Sequence, residues 1–75
     1  MKTQIDIYVA TQVRKIRRSK RISQSLLSFG IGVSKSFVGQ VESAAHPSKY
    51  NVNHLYEIAR FLDCSMSDFF PDKSL

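Results

Sequence analysis

The chain has a single cysteine, no tryptophan, two prolines and three glycines in 75 residues. With Cys64 alone it can form no internal disulfide and no multi-cysteine zinc site, and we expect this thiol to pack as a small hydrophobic group. No run approaches the roughly 20 apolar residues of a membrane span, and the N-terminus lacks the apolar stretch of a signal peptide. We therefore expect a cytoplasmic protein that does not associate with membranes. It should form one domain over residues 1–75, with a core over about residues 7–71.

Acidic residues are scarce in the first two thirds of the chain. Residues 1–50 contain nine Lys/Arg and two Asp/Glu, a net charge of +7, whereas residues 51–75 contain two Lys/Arg and four Asp/Glu, a net charge of −2. Such a basic region favours an anionic partner, nucleic acid above all, over a merely solvated face. The two histidines, His46 and His54, have no nucleophile or metal ligand at a characteristic spacing. No enzyme activity, metal or cofactor is therefore expected.

The spacing of apolar residues is helical, and strand-like alternation is almost absent. It predicts an all-α chain of five helices. The first covers about residues 6–20 with Asp6 as its N-cap, and the fourth covers about residues 52–62. Ser23 is expected to cap the second helix and Ser34 the third, with Gly32 left-handed between them. A short fifth helix carries Met66, Phe69 and Phe70.

The most informative stretch is SQSLLSFGIGVSKSFVGQVES, residues 23–43. It predicts two short helices joined by a tight turn, with apolar residues facing the angle between them. The inward positions are Leu26, Leu27, Ile31, Val33, Val38 and Val41. Ser28 lies where the two helices touch, and we expect its hydroxyl to bond a backbone carbonyl one turn back.

The outer side of the third helix, about Ser34–Ser43, is small and polar. At about 100° per residue, Ser36, Gln40 and Ser43 fall opposite the apolar side. Gln40 could form two hydrogen bonds with adenine, Ser36 could bond several bases, and Lys35 could bond guanine or a phosphate. Phe37 either touches a thymine methyl group or packs in the core. Gly39 costs about 1 kcal/mol in a helix relative to alanine, which indicates close approach to DNA or to another helix.

The stretches VRKIRRSKRISQSLLSFGIGVSKSFVGQVES and YEIARFLDCSMSDFF resemble the Cro/CI-type helix-turn-helix family, the XRE class of phage-repressor-like DNA-binding domains. The resemblance covers roughly Val13 to Phe70. It implies a compact five-helix lambda-repressor-like fold, with the helix-turn-helix at helices 2 and 3, and sequence-specific binding of double-stranded DNA. Two positions depart from the family pattern. Ser28 replaces the usual alanine, and Ala44 stands where a glycine often follows the third helix.

The resemblance also implies roles for individual residues. Lys35, Ser36 and Gln40 match positions that contact bases, and Gln24 matches a glutamine that bonds a phosphate. Arg17 and Glu42 resemble the family's structural pair, which links the first helix to the end of the third. Further phosphate contacts are expected from helix ends, from the loop after the third helix and from the basic first helix: Ser23, Ser43, Lys49, Asn51, Arg14 and Arg18.

These observations predict a small transcriptional regulator, bacterial or phage-encoded, that acts as a repressor. One such domain recognises only about four to six base pairs, so two copies one helical turn apart are expected, as a homodimer. The dimer surface is expected near Phe69, Phe70 and Leu75, with one phenylalanine buried and the other partly available. With no room for an inducer-binding domain after the fifth helix, regulation is expected from dimerisation, a protein partner or abundance. The alternative function is an antitoxin or accessory protein whose main partner is another protein.

Overall fold

The computed structural model describes all 75 residues as four α-helices and a final 3₁₀ helix, without strands. The helices are α1 (Gln4–Ser19), α2 (Gln24–Gly30), α3 (Phe37–Glu42) and α4 (Val52–Leu62), and the 3₁₀ helix covers Met66–Phe69. The all-α prediction is confirmed, but the fifth helix is a single 3₁₀ turn. None of the helices combines the length and the apolar content that a membrane span requires. One core joins all the helices: Val9, Val13, Leu27, Val38, Leu55, Ile58, Ala59, Leu62 and Phe69.

The first helix begins before Asp6, and the prediction that Asp6 is its N-cap is wrong. Thr3 is the N-cap, because its Oγ1 accepts the backbone N–H of Asp6 at 3.4 Å. The Asp6 carboxylate in turn accepts the N–H of Thr3 at 2.8 Å. This capping box satisfies amides that the helix itself cannot bond. The hydrogen bond from the Thr3 amide also lowers the pKa of Asp6, with a smaller contribution from the Lys49 ammonium.

Three of the four α-helices are closed by a residue in the left-handed conformation. These residues are Arg21 after α1, Gly32 after α2 and Asp63 after α4, with φ values of 59°, 75° and 54°. In each turn the next amide donates to the carbonyl five residues earlier, the Schellman closure. Gly32 thus has the conformation that the sequence predicts. The remaining helix, α3, ends differently, because its C-cap Ser43 is extended with φ −84° and ψ 125°.

The third helix begins later than predicted, and Ser34 does not cap it. The Ser34 carbonyl accepts the N–H of Phe37 at 3.0 Å, which forms a turn that leads into the helix. Ser36 is the N-cap residue, but its side chain makes no capping bond. The bond comes from α2 instead, where the buried Ser28 Oγ accepts the N–H of Val38 at 3.1 Å. The Ser28 hydroxyl, expected to bond within its own helix, therefore connects α2 to α3.

The inner face of α2 is narrower than the sequence suggests. Leu27 and Ser28 are fully buried, whereas Leu26, which was expected to face inward, is 44% exposed. A helix of seven residues has room for few inward positions, and these two occupy them. At the other end of the chain, Phe69 is fully buried and Phe70 is 41% exposed, as the sequence predicts.

Replacing Ser28 with alanine should lower the free energy of unfolding by about 1–3 kcal/mol, because the buried N–H of Val38 loses its acceptor. Urea unfolding followed by circular dichroism measures the change. The control is Ser25→Ala, which alters an exposed serine of the same helix and should change stability by less than about 0.5 kcal/mol. Equal stability of the two variants would show that Ser28 does not cap α3.

Candidate nucleic-acid interface

A polar cleft lies between the start of α2 and the outer face of α3. No hydrophobic side chain lines it, and Lys35 carries its one permanent positive charge. Small hydroxyl and amide side chains on a helix can come close to base edges and bond them directly. The residues that line the cleft are Ser23, Gln24, Ser25, Lys35, Ser36, Gly39, Gln40, Ser43 and His46.

Six of the residues that the sequence predicts to contact DNA meet in this cleft. Gln40 Nε2 lies 3.4 Å from Ser36 Oγ, so two of the predicted base contacts are neighbours one turn apart. The Ser23 hydroxyl caps α2 by accepting the N–H of Leu26 at 3.0 Å. The cleft therefore combines side chains that suit bases with others that suit phosphates. The six residues are Ser23, Gln24, Lys35, Ser36, Gln40 and Ser43.

Phe37, also predicted to contact bases, does not line the cleft. Its ring centroid lies 4.7 Å from that of His54 and 6.1 Å from that of Tyr50, so it packs the start of α3 against α4. The sequence leaves open whether Phe37 contacts a thymine methyl group or packs inside the domain, and this geometry favours packing inside the domain. Burial lowers the pKa of His54, which favours the neutral ring whose Nδ1 accepts the N–H of Asn51 at 3.0 Å. Burial also raises the pKa of Tyr50, whose hydroxyl has no hydrogen-bond partner.

Four predicted phosphate contacts lie outside the cleft. Lys49 Nζ is 3.3 Å from a carboxylate oxygen of Asp6, and Asn51 caps α4 by accepting the N–H of His54 at 2.7 Å. Arg14 and Arg18 are exposed residues of α1. Contact between these side chains and DNA stays a prediction.

The carboxylate of Glu42 joins α1, α2 and α3 beside the cleft. Arg17 donates two hydrogen bonds to this carboxylate, from Nε at 2.9 Å and from Nη2 at 2.8 Å. The pair of Arg17 and Glu42 that the resemblance implies is therefore formed, with two parallel hydrogen bonds. Gln24 Nε2 donates to the same carboxylate at 3.0 Å, and Arg14 Nε lies 3.9 Å away. The side chains of Arg17 and Glu42 are only 8% and 4% exposed. Paired hydrogen bonds between planar, buried groups fix the orientation of both helices.

This pairing also removes negative charge from the basic part of the surface. Glu42 and Asp6 are the only acidic residues among the first fifty. The carboxylate of Glu42 is buried against Arg17, and that of Asp6 is bonded to the N-terminus of α1 and to Lys49. A phosphate backbone approaching the cleft therefore meets little repulsion from carboxylates.

The neighbouring helix explains the glycine within α3. A Cβ atom at Gly39 would lie 3.0 Å from Gln24 Oε1, closer than ordinary contact. Glycine therefore allows the Gln24 amide to lie against α3, where its Nε2 bonds Glu42. The close approach that the sequence indicates is thus made by α2. An amide nitrogen carries two hydrogens, so one N–H of Gln24 is left for a phosphate.

His46 also lines the cleft, although the sequence does not predict a contact with DNA for it. Its Nδ1 accepts the N–H of Ser48 at 3.1 Å, and its backbone N–H donates to the Ser43 carbonyl at 3.2 Å. With Nδ1 occupied, Nε2 is the ring nitrogen left for a ligand. The sequence signal is weak, because His-Pro-Ser is ordinary loop composition. No group of three or more His, Cys, Asp or Glu side chains is placed to hold a metal ion.

A short helix with a polar outer face, held by a second helix across a tight turn in a small basic all-α chain, defines a helix-turn-helix domain. The HTH_3 helix-turn-helix family matches residues 13–69. The chain therefore belongs to this family, the XRE-type helix-turn-helix proteins, and the resemblance inferred from the sequence is confirmed.

Solved structures support the same assignment. The chain is similar to the restriction-modification controller protein C.AhdI from Aeromonas hydrophila, with a TM-score of 0.74 and 26% identity, over 85% of this chain and 94% of that one. It is also similar to an HTH_3 family transcriptional regulator from Vibrio cholerae, with a TM-score of 0.73 and 31% identity. That match covers 87% of this chain and 35% of the regulator, so the chain spans about a third of its length. No curated protein sequence matches the chain significantly.

Replacing Glu42 with glutamine should lower the free energy of unfolding by roughly 3–5 kcal/mol, because Arg17 becomes a buried cation without a counter-charge. This is a large part of the stability of a small domain, about 5–15 kcal/mol. Urea unfolding measures the loss. The control is Glu57→Gln on α4, where the 3.5 Å contact with Arg60 is largely exposed, and the expected change is below about 1 kcal/mol. A similar small change in both variants would contradict the structural role of Glu42.

Proposed function

We propose that this protein is a sequence-specific regulator of transcription that places α3 in the major groove of double-stranded DNA. The observation that carries the proposal is the cleft, which contains only polar side chains and glycine. Lys35, Ser36 and Gln40 are proposed to contact bases, as their positions on its α3 side suit that role. Ser23, Gln24 and Ser43 are proposed to contact phosphates, which would set the position of the domain on the duplex.

A regulatory role is supported by the relatives. The chain matches the controller protein C.AhdI over 94% of that protein's length. This similarity supports a regulatory role for a domain of the same size. A domain bound in the major groove of a promoter excludes other proteins from the same DNA, and we propose repression by this exclusion. Such a regulator would act in the cytoplasm of a bacterium, on chromosomal or phage DNA.

We further propose that the regulator binds DNA as a two-fold homodimer. Phe69 is buried and unavailable, which leaves an apolar surface formed by the start of α1 and the C-terminal segment. Ile5 and Leu75 line one depression of this surface and are 41% and 60% exposed. Leu75 and Ile7 line the next depression. A two-fold contact through this surface is proposed to bring two copies of α3 to successive turns of the same DNA face.

Replacing Gln40 with alanine should weaken binding to a DNA site selected by the wild-type protein from random duplexes by about tenfold or more, because each bidentate base contact contributes about 1–3 kcal/mol of discrimination. Binding to unselected duplex DNA should be almost unchanged. Fluorescence anisotropy over a salt series measures both affinities, and the steep salt dependence should be the same in the variant.

The control is Asn53→Ala, because Asn53 is an exposed polar residue of α4 that lines neither the cleft nor the proposed dimer surface. Its affinities should equal those of the wild type. Absence of binding to any duplex by the wild type at low salt would contradict the proposed function and favour the alternative of a protein partner. Equal losses on selected and unselected DNA would show that Gln40 contacts the backbone.

Replacing Ile5 with aspartate should convert the homodimer into a monomer, because the substitution places a charge in the proposed apolar interface. Aspartate is favourable in the first turn of a helix, so α1 should still form. Sedimentation velocity measures the mass. The control is Val52→Asp, since Val52 is also in the first turn of a helix, α4, and is 74% exposed. A dimer that survives Ile5→Asp would place the interface elsewhere.

A further inference from the structure

The C-terminal end of α3 lacks the closure that the other helices have. Ala44 follows the extended Ser43, and neither residue has a left-handed backbone. Without a left-handed residue, no amide folds back on the final carbonyls in the Schellman pattern. The last four carbonyls of any helix need partners from outside it. The Ser43 N–H bonds the Gln40 carbonyl and the His46 N–H bonds the Ser43 carbonyl, each at 3.2 Å, whereas no backbone amide bonds the carbonyl of Val41. That carbonyl depends on a group from outside the helix.

The ammonium of Lys2 occupies this end of the helix. Lys2 Nζ donates to the carbonyl of Val41 at 2.7 Å and to that of Ser43 at 2.7 Å. A cation is favourable at the C-terminus of a helix, where the carbonyl dipoles give a partial negative charge. Hydrogen bonds from a charged donor are also shorter and stronger than neutral ones.

The neighbouring residues keep Lys2 in this place. Thr3, the next residue, is fixed as the N-cap of α1 by its capping box with Asp6. The backbone of Lys2 is therefore anchored where its side chain reaches α3. Lys2 forms no ion pair with any carboxylate, so no acidic group competes for the ammonium.

We propose that Lys2 is a positioning residue for DNA recognition, which caps the C-terminus of α3 in place of the left-handed turn that closes the other helices. The cap holds the last turn of the helix and with it Gln40 and Ser43, which line the cleft. The consequence for DNA binding rests on the function proposed above, whereas the cap itself is a property of the free protein. The two parts can be tested separately.

The cap is tested by amide hydrogen exchange of the free protein, measured by NMR. In Lys2→Met the amides of Val41, Glu42 and Ser43 should exchange about tenfold faster, because the last turn of α3 opens more often. Lys2→Arg keeps the charge and several donors and should restore most of the protection. The control is Lys20→Met, which removes the same charge from the exposed residue that follows α1 and lines neither the cleft nor the proposed dimer surface. Unchanged exchange in Lys2→Met would overturn the proposal.

The effect of the cap on DNA recognition is tested by measuring DNA binding of the same variants. Lys2→Met should weaken binding to the selected site by about tenfold, while binding to unselected duplex DNA and the salt dependence should match those of Lys20→Met. Equal losses on both DNAs, with a salt slope smaller by about one, would show that Lys2 contacts a phosphate and would overturn its positioning role. If the wild type bound no DNA, the proposed function would fail, and the exchange experiment would still decide whether Lys2 caps α3.

Discussion

The helix that carries the candidate recognition residues is too short to hold its own conformation. Six residues form fewer than two turns, and the first turn of a helix is the costly one, because several residues are ordered for a single hydrogen bond. Side chains from α1, α2 and the N-terminal segment supply the hydrogen bonds that hold α3 in its helical conformation. Ser28 of α2 caps its start, Lys2 bonds the carbonyls at its end, and Arg17 and Gln24 hold Glu42 within its last turn. The conformation of the helix is thus a property of the whole domain.

The buried carboxylate of Glu42 sets a second requirement. A charge that is 4% exposed must be compensated, and such pairs add little net stability relative to apolar packing. Their advantage here is geometric. Two bonds from Arg17 fix the direction of the carboxylate, which then fixes Gln24, and Gln24 occupies the space left by the missing side chain of Gly39. A glycine that weakens the helix locally therefore permits the contact that orients α2 against it.

The features that the sequence predicted well are those with a local or periodic signal. The apolar spacing located the core positions Leu27, Val38 and Val41, and the single glycine of the turn, Gly32, has the expected left-handed conformation. The contacts that the sequence does not predict join residues that are distant in the chain. Nothing in the sequence marks Lys2 as a partner for α3, or Ser28 as its cap, because neither contact has a fixed spacing. The sequence pattern does not locate the N-cap of α1, because an aspartate suits both the cap position and the third position of a capping box, and Asp6 takes the second of these.

The arrangement of these supports bears on how the domain would recognise DNA. Each support contacts α3 at its ends or on its inner and flanking sides, and the outer face with Ser36 and Gln40 bears none of them. Apart from the 3.4 Å contact between Gln40 Nε2 and Ser36 Oγ, side chains there keep their hydrogen-bonding groups for a ligand, while the backbone that carries them is fixed. Preorganisation of this kind reduces the ordering cost of binding. It also favours specificity, since a rigid helix cannot adjust its side chains to an unmatched base pair without losing hydrogen bonds.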